Sequence, residues 1–122
     1  GSGQSDLAVR AIDGGARLIA DDRVTLTRRG DTLVAASPPQ LRGMIELRGV
    51  GILRVEADME APLALIADLA ASGTIERMPE PECCALLGLA VPRVRLAPFE
   101  ASAAAKLRFA LMGALRPDCR VR

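Results

Sequence analysis

Asp21 and Asp22 are adjacent carboxylates at the end of a short apolar run, Ala16-Arg17-Leu18-Ile19-Ala20. In doubly wound folds chemistry gathers at the carboxyl ends of strands, beside helix N-termini. Two carboxylates placed there can hold magnesium and orient a nucleophile; the competing reading is a solvated acidic turn paired with Arg23. Ahead of them, Gly1-Ser2-Gly3-Gln4-Ser5 reads as the tail of a phosphate-binding loop. Such a loop needs glycines to curl its backbone round phosphates, a lysine for their charge, and a hydroxyl for magnesium. Gly3 and Ser5 stand at the right offsets, Gln4 takes the place of the lysine, and no strand precedes the loop to launch it. The same five residues also read as a linker or the scar of an expression tag. A third group lies in Ile45-Glu46-Leu47-Arg48-Gly49-Val50-Gly51-Ile52-Leu53. An acid and a base inside an apolar strand and turn are costly unless they meet something. Either Glu46 completes a magnesium shell begun by Ser5 and Asp22, with Arg48 clamping a phosphate, or Glu46 and Arg48 form a surface pair.

Composition narrows the chemistry. Histidine is absent, which removes Ser-His and Cys-His catalysis and any histidine-based metal site. Cys83, Cys84 and Cys119 lack the paired Cys-x-x-Cys spacing of a zinc ribbon, and three unpaired thiols fit a reducing cytoplasm. Carboxylates, arginines and backbone amides remain, a set suited to phosphoryl transfer. A net charge of +1 and the lack of Trp and Tyr give no mandate for nucleic acid. No apolar run is long enough for a membrane span, and no signal peptide is expected. The arginines near the end, Arg116, Arg120 and Arg122, read as a frayed tail.

The elements that must position these residues follow from pattern. At 122 residues the chain is one domain, with a core of Leu, Ile, Val and Ala. Leu7, Ala8, Ala11 and Ile12 recur at helical spacing after Ser5, and Gly14-Gly15 ends that helix. Val24 to Arg28 alternates as a half-exposed strand, Gly30-Asp31 turns, and Thr32 to Ala35 returns. Ser37-Pro38-Pro39 starts a loop, Met44 to Leu47 and Ile52 to Val55 read as short strands, and Glu56 to Pro62 as a polar loop. Leu63 to Leu69 is apolar enough for a buried strand. Cys84 to Val91 reads as one strand, with Val94 to Leu96 beyond Pro92. A helix is expected from Phe99 to Leu115, with Glu100 in its first turn and Pro117 stopping it. Its stripe of Leu107, Leu111, Ala114 and Leu115 reads as core packing.

Ser5-Asp6-Leu7-Ala8, then Ala16 to Val24, then Ile45 to Ile52, taken in that order, resemble bacterial HPr kinase/phosphorylase. In particular they resemble the short proteobacterial form that lacks the N-terminal regulatory domain. The resemblance implies an α/β, P-loop kinase-like (PEP carboxykinase-like) fold, a mixed sheet with a P-loop helix and a C-terminal helix. Residues 1–122 would be its C-terminal catalytic domain, beginning within the P-loop and lacking the first strand. It implies phosphorylation of a serine of the phosphocarrier HPr with ATP or pyrophosphate and Mg2+, reversal with inorganic phosphate, a cytoplasmic location and a hexamer. By position, Gly1, Ser2, Gly3, Gln4 and Ser5 would hold the nucleotide, and Ser5, Glu46 and Asp21 the magnesium. Asp22 would take the proton from the substrate serine, and Arg77 would stabilise phosphoryl charge; a solvated loop arginine is the alternative for Arg77.

The departures are specific. Gln4 makes the strongest phosphate contact neutral, and only Arg93 and Arg95 stand where the family has its Arg-rich phosphorolysis segment. The catalytic histidine of the family is not in the sequence. An enzyme therefore competes with a degenerate, non-catalytic nucleotide-sensing or protein-binding module. A sheet without its central strand exposes an edge, so oligomerisation or a swapped fill is expected.

Overall fold

A computed structural model describes residues 3–115. Helix α1, Gln4–Asp13, turns its one buried side chain, Leu7, inward. Gly14 and Gly15 close it, with Gly15 at φ 109 and the amides of Gly14, Gly15 and Ala16 returning to carbonyls of its last turn. The apolar run Ala16–Ala20 was expected to be a strand. It forms only a parallel bridge, Leu18 to Ala57, although Leu18 is buried. Its neighbour is irregular chain, so pairing stops after the bridge and the Asp58 amide bond to the Leu18 carbonyl. Arg17 reinforces this crossing through Glu56 and Asp58.

Strands β1 (Thr25–Arg29) and β2 (Thr32–Ala36) form a hairpin round Gly30. β3 (Met44–Leu47) and β4 (Gly51–Arg54) form a second, which buries Ile45 and leaves β4 exposed throughout. β5 (Glu60–Pro62) lies within the expected polar loop; it pairs with β2, and Glu60 reaches Arg29 on β1. Three residues cannot show a period of two, which hid this strand from pattern reading.

The mixed sheet has the order β6-β8-β7, with β6 (Ile66–Leu69) parallel to β8 (Leu89–Leu96) and β7 (Glu82–Leu86) antiparallel to it. β6 starts three residues later than the apolar run suggested and is half-buried. The expected single strand Cys84–Val91 is instead a hairpin. Leu87 at φ 48 and Gly88 at φ 81 make the turn, and leucine is an unusual occupant of that left-handed region. β8 continues through Pro92, which stands opposite Cys83 one residue before β6 joins at Arg93. There the missing amide deprives no ladder.

Helix α2 runs Ala103–Leu115, four residues shorter at its start than expected. Residues 98–102 form turns instead, because their groups have other partners. Arg10 takes the carbonyls of Pro98 and Glu100, and the Glu100 carboxylate is held by Ser72 and Lys106. Both helices pack on the mixed sheet through Leu7, Leu96 and Ala103, with Ala67, Leu69, Val94 and Leu107 alongside. The far end of the α2 stripe is not core: Leu111 and Leu115 are exposed. Pro117, Cys119 and Arg116, Arg120 and Arg122 lie outside the described residues.

Candidate phosphate and metal site

The N-terminus of α1 begins at Gly3, in the left-handed region at φ 86, with no side-chain cap. The first helical bond is Leu7 amide to Gly3 carbonyl, so the amides of the first turn are not consumed by the helix. Uncapped amides plus the helix dipole favour an anion. Gly3 is required twice over, since a Cβ there would also meet Pro98 and Phe99 at 2.9 Å.

Asp21 is the hub of the site. Its Oδ1 accepts from Ser5 Oγ at 3.4 Å, and its Oδ2 accepts from the Glu46 amide at 3.0 Å. Gln4 Nε2 donates to the Asp21 carbonyl at 3.3 Å. The α1 terminus, the end of the Leu18 bridge and β3 thus meet on one residue. Asp21, Asp22 and Glu46 line one small cavity of about 130 Å3 with Arg23, Ile45 and Ile52. Ser5, Asp21, Asp22 and Glu46 are therefore brought together. The carboxylate that touches Ser5 is Asp21, however, whereas residue reading had paired Ser5 with Asp22.

The remaining candidates stand apart. Arg48 sits exposed in the β3–β4 turn and pairs with no described carboxylate, so the surface pair with Glu46 is not formed. Arg77 is exposed and lines a different, larger cavity of about 770 Å3 with Thr74, Glu82, Arg93, Arg95 and Glu100. Charges in that cavity neutralise one another. Glu82 is held below the usual carboxylate range first by the Arg93 hydrogen bond and then by Arg95. Glu100 is lowered first by the Ser72 hydroxyl and then by Lys106. Gly1 and Ser2 lie outside the described residues.

The donors fit a magnesium ion that arrives with phosphates. Among the described residues no three Asp, Glu, Cys or His side chains enclose a metal. One hydroxyl and one carboxylate suffice for magnesium when substrate oxygens and waters complete its octahedron. For the phosphates, the free amides after Gly3 fit and the neutral Gln4 does not supply charge. Sequence reasoning missed Arg10, whose guanidinium fixes the turn beside Gly3; its spacing from Asp6 signalled only a helical ion pair.

Comparison with known proteins bears on the fold and on the first half of the chain. Residues 1–60 match the family model of the HPr serine kinase C-terminal domain. HPr kinase/phosphorylase of Chloroherpeton thalassium is 47% identical over 58 residues, covering 47% of this chain and 17% of that protein. Those of Lacticaseibacillus casei (45% over 56 residues, 45% of this chain and 18% of that protein) and Chromobacterium violaceum (48% over 54 residues, 43% and 17%) match similarly. The matched stretch thus spans less than a fifth of these relatives. In three dimensions the chain resembles the HPr(Ser) kinase/phosphatase of Coxiella burnetii, with TM-score 0.80 and 21% identity over 95% of this chain and 82% of that one. That likeness carries the fold past residue 60, where the family model stops. The chain has this P-loop kinase-like fold, and its first sixty residues are similar to the HPr serine kinase C-terminal domain.

Proposed function

We propose that residues 1–122 are the nucleotide-binding and catalytic part of a serine kinase for the phosphocarrier HPr, using ATP with magnesium. The observation that carries this is the convergence of the Ser5 hydroxyl and the Glu46 amide on the two oxygens of the Asp21 carboxylate, beside the uncapped terminus of α1. Ser5 and Asp21 would hold Mg2+, which neutralises charge on the phosphates when bound, and Glu46 lies within the same cavity. The amides following Gly3 would receive phosphate oxygens. Asp22 is free of side-chain partners among the described residues, as a base that takes a proton from a serine hydroxyl must be. Arg48 and Arg77 would act on phosphate charge only if substrate extends beyond the small cavity, since neither lines it.

A second reading has its own observation. The Gln4 amide is tied to the Asp21 carbonyl, so the lysine position holds a neutral group. That favours a module which binds nucleotide without turning it over. Transfer of labelled phosphate from ATP to HPr by the chain and by Gln4→Lys separates the two. A kinase transfers label, and Gln4→Lys raises the rate by about 100-fold, the worth of one positioned charge in a transition state. Mg-ATP binding without transfer in either protein rejects the kinase and leaves the binding module.

A further inference from the structure

The chain has two aromatic residues, Phe99 and Phe109. Phe99 is 75% exposed, yet its position is fixed with unusual care. Its ring edge, Cζ, lies 2.9 Å from where a Cβ of Gly3 would stand, at the residue that opens α1. Arg10, on the same helix, donates to the carbonyls on either side of it, Pro98 and Glu100. Arg10 is in turn held by Asp6 at 3.0 Å. The Glu100 side chain is anchored by Ser72 and Lys106, and its amide donates to the Ala97 carbonyl. A large apolar ring thus remains in solvent while the backbone around it is pinned, from both sides, to the helix whose terminus faces the phosphate site. Core packing does not explain it, because the core contacts of this region are made by Leu96 and Ala103.

From this placement we propose that Phe99 is the specificity-determining platform on which the base of a nucleotide donor stacks. A rigid aromatic face costs little ordering entropy on binding, and stacking tolerates any base because every base has a π-face. Phosphates at the α1 terminus and a base on Phe99 would then be fixed by one helix, with Arg10 as the positioning residue. The platform distinguishes a nucleoside triphosphate from a donor made of phosphate alone. This rests on the phosphate-site reading given above.

The test compares binding of Mg-ATP and of magnesium pyrophosphate to the whole chain by calorimetry. Phe99→Ala should weaken Mg-ATP by roughly 5- to 150-fold while pyrophosphate changes by less than about twofold, and Phe99→Tyr should restore ATP binding. In Phe99→Trp, the protein's single indole should be quenched by ATP and not by pyrophosphate. If ATP binding is unchanged in Phe99→Ala, the platform is refuted while the phosphate site stands. If both ligands weaken together, Phe99 only supports the loop at Gly3, and the proposal fails. If the affected quantity is the KM for HPr alone, the ring is a protein-docking contact and the proposal also fails. A wild-type chain that binds neither ligand removes the phosphate site itself, and this inference with it.

Discussion

At the scale of single residues, Asp21 and Asp22 show how adjacent identical side chains acquire different work. Asp21 ties the site together through both carboxylate oxygens, one toward Ser5 and one toward the Glu46 amide, at the point where it would take up Mg2+. Asp22 keeps its carboxylate for the cavity. Asp21→Asn turns one acceptor into a donor facing either the Ser5 hydroxyl or the Glu46 amide. It should therefore lower stability by about 1 kcal/mol and abolish the thermal stabilisation given by Mg-ATP. Asp22→Asn should leave both the melting temperature and the Mg-ATP shift nearly intact while phosphate transfer to HPr is lost. Melting curves with and without Mg-ATP check the pair; equal behaviour of the two variants would contradict the division. The identity of the acidic pair was legible in sequence, and so was its convergence with Glu46. Which member meets Ser5 was divided between Asp22 in the residue pattern and Asp21 in the resemblance, because it depends on where the Leu18 bridge ends rather than on any local pattern.

At the scale of elements, two helices meet over the mixed sheet at Ala103, which has 0% exposure. An alanine sets the spacing between α1, α2 and β8, so a larger side chain has nowhere to go. Ala103→Leu should cost about 1–3 kcal/mol, read as a lower urea midpoint at unchanged slope. Strands are also cross-tied by exposed and part-buried ion pairs: Glu60 to Arg29 spans β5 and β1, and Glu82 to Arg93 and Arg95 joins β7 to β8. The folded-state pKa values of Glu60, Glu82 and Glu100 all lie below the ordinary 4.5. A depressed carboxylate stabilises the fold above its unfolded value and loses that contribution as pH falls through the folded one. The urea midpoint should thus be flat above about pH 5.5 and fall below about pH 4.5, less steeply in Glu82→Gln and in high salt. The hairpins β1–β2 and β3–β4 were readable from alternation and glycine turns. The β7–β8 turn was not, since Leu87 carries no turn signal, and the start of α2 was hidden because Arg10, distant in sequence, claims the carbonyls that a helix would use.

At the scale of the whole molecule, surface is the dominant fact. The accessible area is 8561 Å2, whereas a compact globular chain of this mass exposes about 6,300 Å2. The excess has identifiable sources. β4 is exposed at every position and carries Ile52 at 66%, next to Val50 at 68% in the turn. The outer side of α2 presents Phe109 at 65%, Met112 and Leu115. Among the described residues the strands are divided among three short sheets, each with open edges. Apolar side chains on α2 and an open β4 edge favour burial against a second copy, and no helix among the described residues is long and apolar enough to cross a membrane. The fold class was legible through the family resemblance carried by Ser5–Ala8, Ala16–Val24 and Ile45–Ile52, but this exposure was not. Periodicity marks which residues of α2 are apolar and cannot show that only its first turns meet the sheet. The chain should therefore associate at micromolar concentration, with a mass by light scattering that rises with concentration. Phe109→Glu and Ile52→Glu, substitutions at exposed positions, should shift that equilibrium toward monomer without lowering the urea midpoint of the monomer by more than about 0.5 kcal/mol. A wild-type mass equal to one chain across the whole concentration range would mean that these apolar faces stay in water, and association as the reason for them would have to be abandoned.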